Sequence, residues 1–199
     1  RLIAQDMKRN GGLITEQDLA AYQAVERTPV RGTYRGYDII SMPPPSSGGV
    51  ALIEMLNILE GYDLKSSGHN SAGSLHLLAE AMRIAYRDRA EFLGDPDFVH
   101  SLPAAKLTSK EYAEEIRRSI NLQHASKSSL GHLVERSEST ETTHYSVVDG
   151  EGNAVVVTYT LENWYGSRIV ADGTGIMLNN EMGDFNPIPG VTDTTGFIG

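Results

Sequence analysis

The stretch from Thr142 to Thr160, TTHYSVVDGEGNAVVVTYT, constrains the fold more than any other part of the chain. From Thr143 to Val148, and again from Asn153 to Thr160, the residues are mostly β-branched or aromatic, a composition suited to a pleated surface. Between these runs DGEGN supplies Gly150 and Gly152, which adopt backbone angles that other residues avoid. The pattern predicts two antiparallel strands joined by a tight turn. The polar run ahead of it, HLVERSESTE, has neither helical period nor strand alternation and reads as an exposed loop. Two adjacent threonines, Thr142 and Thr143, therefore stand where a loop enters a strand.

Upstream the periodicity is helical. Residues 2 to 9 form an amphipathic helix stopped by Gly11-Gly12, and Thr15 and Asp18 have the spacing of a capping box ahead of LAAY. VRGTYRGYDIISM reads as two short strands around Gly36. PPPSSGG then leads, with Ser47 as cap, into an apolar helix over 50 to 60 that Gly61 ends. A long helix runs from about Ser71 to Glu91. Its apolar stripe is Leu75, Leu78, Ala79, Met82 and Tyr86, with Arg83, Arg87 and Glu91 on another side. GDPD breaks that helix, and a further one covers 108 to 120 with Thr108 and Glu111 at capping-box spacing. The loop 121 to 141, the hairpin and a β-rich stretch to Asn180 complete the order. Helices first and strands later predict an α+β fold, not alternating βαβ units.

Composition narrows the chemistry. The 199 residues suffice for one globular domain burying roughly 70% of its unfolded surface. With no cysteine, there is no disulfide scaffold, thiolate nucleophile or cysteine-ligated metal. A net charge of −9 opposes nucleic acid or an anionic membrane as the main partner. No run approaches the ~20 apolar residues of a membrane span. The chain begins at Arg1 inside the first helix, without a signal peptide, so the expectation is a piece of a longer protein.

Most candidate motifs have a structural explanation. PPPSSGG lacks the lysine and spacing of a phosphate loop and reads as prolines after a strand followed by a helix cap. In DGEGN, Asp149, Glu151 and Asn153 occupy the first three ligand positions of a calcium loop. The obligatory sixth-position glycine is Ala154, however, and the twelfth-position glutamate is Thr160. GDPDF, with Asp95 and Asp97, reads as a helix stop. His144 lies two residues from Thr142, about 7 Å along a strand, which favours a packing or surface role over a general base. Thr142 has no visible Ser-His-Asp set around it. Cleavage after Glu141 would give it a base of its own, because a free α-amine has a pKa of about 7.7–8.0. That is the threonine–amine nucleophile of self-processing hydrolases, although threonines at strand starts are also ordinary.

TTHYSVVDGEGNAVVVTYTLE, YGSRIV and GIMLNNEMGDF together resemble the start of the small subunit of the γ-glutamyltransferases (γ-glutamyltranspeptidases), which are N-terminal-nucleophile hydrolases. GGLITEQDLAAY, PPPSSGG and MRIAYRDRAEFLGDPDF are similar to the second half of that family's large subunit. The resemblance implies a partial four-layer αββα sandwich with antiparallel sheets. Residues 1–141 would be the mostly helical end of the large subunit and 142–199 the beginning of the small one, within a single structural domain. It implies autocleavage at Glu141–Thr142, Thr142 as nucleophile and Thr160 as the threonine whose hydroxyl bonds the nucleophile's Oγ. Glu162, Glu181 and Asp184 match positions that hold the α-amino and α-carboxylate end of the glutamyl donor, and acceptor-only carboxylates suit an ammonium.

The implied reaction moves γ-glutamyl groups from glutathione-like amides to amino acids, peptides or water. No metal or organic cofactor is implied, and the implied location is the periplasm or the cell exterior. Relatives acting on a β-lactam side chain or poly-γ-glutamate, or an inactive binding module, are the alternative readings. The sequence departs from the family pattern at three places. Glu162 stands where Asn is common, Gly183 where a second acid is common, and Arg168 where Gly is frequent. The family's donor-binding arginine lies upstream, and its serine pair and oxyanion glycines downstream, of these residues. The chain alone is therefore expected to be intact at Glu141–Thr142 and inactive.

Overall fold

The computed structural model describes residues 1–128 and 142–184. In chain order the elements are α1 (Leu2–Asn10), α2 (Glu16–Ala21), β1 (Val30–Tyr34), β2 (Tyr37–Ser41), α3 (Gly48–Glu60), α4 (Leu64–Ser67) and α5 (Ala72–Phe92). They continue as α6 (Ala104–Leu107), α7 (Lys110–Ser119), β3 (Thr142–Val148), β4 (Ala154–Thr160), β5 (Val170–Ala171), β6 (Ile176–Met177) and a 3₁₀ turn, Glu181–Asp184. Each sheet among the described residues is a two-stranded antiparallel pair: β1–β2, β3–β4 and β5–β6. The fold is thus α+β, with helices and small antiparallel sheets. None of the described helices is long and apolar enough to cross a membrane.

Contacts divide the described chain into two units, residues 26–128 and residues 1–25 with 142–184. In the first, α3 is the central element. Val50, Ile53 and Ile58 are almost wholly buried, and the Ile58 end packs with Leu77, Ala81 and Ile84 of α5 and Ala113 and Ile116 of α7. A side chain at Gly32 would collide with Ile53, so the absent Cβ lets β1 lie close on α3. Asn57 Nδ2 donates to the Thr108 carbonyl at 2.8 Å, and Arg117 Nη1 to the Asn57 carbonyl at 2.8 Å, tying α3 to the start and end of α7.

Two acids are part of this core. Asp88 is fully buried; Arg87 Nε donates to its Oδ1 at 2.7 Å, and the Tyr112 hydroxyl donates to its Oδ2. Glu54, 1% exposed, is hydrogen-bonded to Asp88, while its Oε1 has no partner among the described residues. Burial first, and then the neighbouring Asp88, push the Glu54 carboxyl up to about 8. Burial and the bond to Asp88 raise Tyr112 as well.

Several local readings need correction. The stripe Leu75, Leu78, Met82 and Tyr86 is exposed, and α5 buries Leu77, Glu80, Ala81, Ile84, Ala85 and Asp88 instead. This helix is apolar on more than one side, and the side carrying small alanines meets α3, because small residues permit close helix approach. Ser47 occupies the N-cap position of α3 without capping it; its Oγ accepts from Arg89 Nε at 2.8 Å. The cap of α7 is Ser109, whose Oγ accepts from the Tyr112 N–H, whereas Thr108 donates its hydroxyl to the Ala104 carbonyl of α6.

In the second unit, α1 ends at Gly11 in the left-handed conformation, and α2 begins with the expected capping box between Thr15 and Asp18. Arg9 bridges Asp6 at 3.1 Å and Asp172 at 2.9 Å, linking α1 to the residue after β5. β3 is exposed along its whole length, and Val147, Val148, Val155 and Val156 are each more than half exposed.

Candidate active site

The hairpin forms as its sequence predicts. Asp149 organises the turn: its Oδ1 accepts the N–H of Glu151 and of Asn153, and its Oδ2 accepts Asn153 Nδ2. Those bonds, led by the one from the Asn153 side chain, hold the Asp149 carboxyl below its usual range. The oxygens suggestive of a calcium loop thus close a turn. Among the described residues no three His, Asp or Glu side chains are grouped to hold a metal ion.

The pairing runs without a bulge from Val148 opposite Ala154 to Thr142 opposite Thr160. Directly paired residues project to the same face with Cβ atoms roughly 4.5–5.5 Å apart. The two threonines named from the sequence therefore stand side by side at the open end of the hairpin. His144 is two residues further in, where its Nδ1 meets the Thr158 hydroxyl at 2.8 Å, a cross-strand surface pair. Thr160 Oγ1 accepts the Glu162 N–H at 2.9 Å, which turns the chain sharply after β4.

Past this turn, the chain forms a loop stitched back onto a later segment. Asn180 N–H donates to the Leu161 carbonyl at 3.2 Å, and Asn163 N–H to Asn180 Oδ1 at 3.2 Å. Ser167 contributes both its N–H and its hydroxyl to the Leu178 carbonyl, each at 2.9 Å, and Leu178 N–H returns to the Ile169 carbonyl. The close approach depends on Gly166, which is buried at φ 55; a Cβ there would strike the Leu178 carbonyl oxygen. Because Asn180 is bonded to Leu161, the neighbouring residues Glu162 and Glu181 come to one junction beside the threonine pair. Asp184 closes the 3₁₀ turn that starts at Glu181, and Glu141 lies outside the described residues.

The backbone of this loop is unusual. Glu162, Tyr165 and Arg168 all have positive φ, at 74, 61 and 60 degrees. Trp164 and Tyr165 are largely exposed, with ring centroids 6.3 Å apart. No sequence pattern marks these residues as left-handed. One sign was available in Arg168, at a position where the resembled family often carries glycine, the residue for which left-handed angles carry no penalty. The return of 161–169 onto 178–180 had no local signature.

The register offers two threonines paired across the hairpin, one of which becomes an N-terminal threonine if the chain is cut before it, with two acids at the adjoining junction. The chain as a whole is similar to known proteins. Residues 1–198 match the sequence profile of the family described as Gamma-glutamyltranspeptidase. The chain is 54% identical over 200 residues to a glutathione hydrolase proenzyme of Escherichia coli (strain K12), covering 99% of this chain and 34% of that protein. It therefore spans about a third of the length of such a curated relative. Among solved structures it is similar to Helicobacter pylori gamma-glutamyltranspeptidase, with TM-score 0.60 and 51% identity over 63% of this chain and 36% of that one. It is also similar to a cephalosporin acylase from Bacillus halodurans, with TM-score 0.75 and 28% identity over 95% of this chain and 33% of that one.

Proposed function

The chain belongs to the γ-glutamyltranspeptidase family, and on that premise we propose that its parent protein transfers or hydrolyses γ-glutamyl groups. The observation that carries the reading is the register of the hairpin, with Thr142 first on one strand and directly opposite Thr160 at the end of the next. In the proposed maturation, Thr142 Oγ attacks the Glu141 carbonyl, the peptide becomes an ester, and water hydrolyses it. This releases the Glu141 carboxylate and a free Thr142 amine. That amine, with a pKa near neutrality, takes the Oγ proton when Thr142 attacks the γ-carbonyl of a donor such as glutathione. The proton passes to the departing amine, a γ-glutamyl ester remains on Oγ, and water or an acceptor amine resolves it. Thr160 orients the nucleophile, and Glu162, Glu181 and Asp184 hold the α-amino end of the donor. The junction that joins the segments of Glu162 and Glu181 supports this assignment.

For the fold we propose a four-layer αββα sandwich in the whole protein. β-branched residues exposed on both faces of β3–β4 support it, since strands covered on two sides are apolar on both. The proposed location is the periplasm or the cell exterior. A second reading, an acylase acting on another amide, is favoured by the similarity to the cephalosporin acylase over nearly the whole chain.

The test is the full-length protein's intact mass together with turnover of a γ-glutamyl anilide and of a cephalosporin side-chain amide. The wild type is expected to split before Thr142 and release the aniline. Thr142→Ala is expected to remain one chain and lose activity to the background, because both steps need the same hydroxyl. A cleaved, active alanine variant eliminates the nucleophile assignment, and preference for the cephalosporin amide selects the second reading.

A further inference from the structure

The loop after β4 holds three non-glycine residues in the left-handed region, a conformation that costs an L-residue about 1–2 kcal/mol. Such strain concentrates where function requires a particular presentation. Of the three, Arg168 is the one whose side chain the structure leaves unused. It is exposed, and its guanidinium makes no hydrogen bond, ion pair or ring contact with any described residue. Arg9 of the same unit, by contrast, pairs with both Asp6 and Asp172.

The backbone beneath Arg168 is firmly held. Its N–H donates to the Tyr165 carbonyl at 2.9 Å, and its two neighbours, Ser167 and Ile169, are both bonded to Leu178. Leu178 lies two residues before Asn180, which is bonded to Leu161 at the threonine end of the hairpin. Two extended residues span about 7 Å, a gap that an extended arginine side chain crosses. A cation on a fixed base is therefore carried by the segment stitched to the strand end where Glu162 and Glu181, both acids, come together. Acids serve the ammonium end of a γ-glutamyl group. The complementary cation suits the other end of the donor, where the amine leaves and an acceptor enters.

We propose that Arg168 is a specificity residue that selects amides whose leaving amine is an amino acid or peptide with a free carboxylate. The planar guanidinium presents paired donors that match a carboxylate. This inference rests on the γ-glutamyl reading and names the substrate class within it. Being exposed, the pair is weakened by salt.

The experiment uses the full-length protein with Arg168→Gly, which removes both charge and backbone strain, and Arg168→Gln, which removes the charge alone. Two donors are compared, glutathione and its glycine amide, which differ only in that carboxylate. In both variants the ratio of kcat/KM for glutathione to that for the amide is expected to fall about two- to fivefold. The wild-type ratio is expected to shrink as ionic strength rises. An unchanged ratio in variants that self-cleave and turn over the amide overturns the inference while leaving the γ-glutamyl reading in place. Wild-type protein that turns over neither donor overturns both.

Discussion

The two units of this chain are held together by different forces. In residues 26–128, α3 is buried along most of one side and the core side chains Ile53, Ile58, Ile84 and Leu107 have almost no exposed surface. Among the described residues of 142–184 the only buried positions are Gly166 and Ala171, and order comes from backbone hydrogen bonds in a tight turn and a stitched loop. The helical unit can stand on the hydrophobic effect, which is non-directional and scales with area. The hairpin unit positions hydroxyls and carboxylates, which needs direction more than burial. The apolar residues on its exposed strands point to cover supplied by something outside these residues.

The largest expected contrast comes from truncating one aliphatic residue in each unit of the 199-residue chain. Ile53→Ala is expected to destabilise the helical unit by about 2–5 kcal/mol, because transfer free energy is lost and a cavity is left beside Gly32. Val155→Ala, at a position 59% exposed, is expected to stay within about 0.5 kcal/mol. Denaturant unfolding of the two variants measures the difference, and equal losses would erase the distinction between the units.

Glu54 sharpens the comparison through pH. The folded unit keeps a proton on Glu54 up to about 8, whereas the unfolded chain releases it near 4.5. The folded state thus binds more protons between those values, and its stability falls as pH rises through that window, by at most about 1.4 kcal/mol per pH unit. Below the window the contribution is fully present, and above it the fall is complete. Glu54→Gln keeps the shape without the titration. Its unfolding midpoint is expected to fall less steeply than the wild type's between about pH 5 and pH 8, and identical pH profiles would remove the buried proton from the account.

The smallest expected effect is local. Gly166→Ala forces a side chain into a left-handed position against the Leu178 carbonyl, costing about 1–2 kcal/mol from the backbone alone. Hydrogen exchange at the Ser167 and Leu178 amides is expected to accelerate, with the midpoint of the helical unit unchanged. Undisturbed exchange would mean that the stitched loop does not depend on this close approach.

Much of this was legible in order along the chain. The breakers Gly11 and Gly61, the box at Thr15 and Asp18, and the turn at DGEGN each placed an element boundary, because each acts within a few residues. The pairing of Thr142 with Thr160 was legible too, since a turn centred on Glu151 counts outward to it without a bulge. Choices between equivalent local options were not. Ser109 caps α7 although Thr108 had the box spacing, because α6 claims the Thr108 hydroxyl one residue earlier. Similarly, α5 has two apolar sides, and its own period could not say which one α3 would cover.

The sequence by itself determined the longer elements, the hairpin register and the pair of threonines at its end, all products of short-range sterics and periodicity. Only the tertiary structure decided that Glu162 and Glu181 share one junction and that Gly166 lets residues 161–169 lie against 178–180. It also decided that Glu54 and Asp88, 34 residues apart in the chain, meet in the buried core, where burial and that neighbour raise the Glu54 carboxyl. The physical reason is the same in each case. Hydrogen bonds and desolvation between segments distant in sequence depend on which surfaces meet, and no local pattern encodes that meeting.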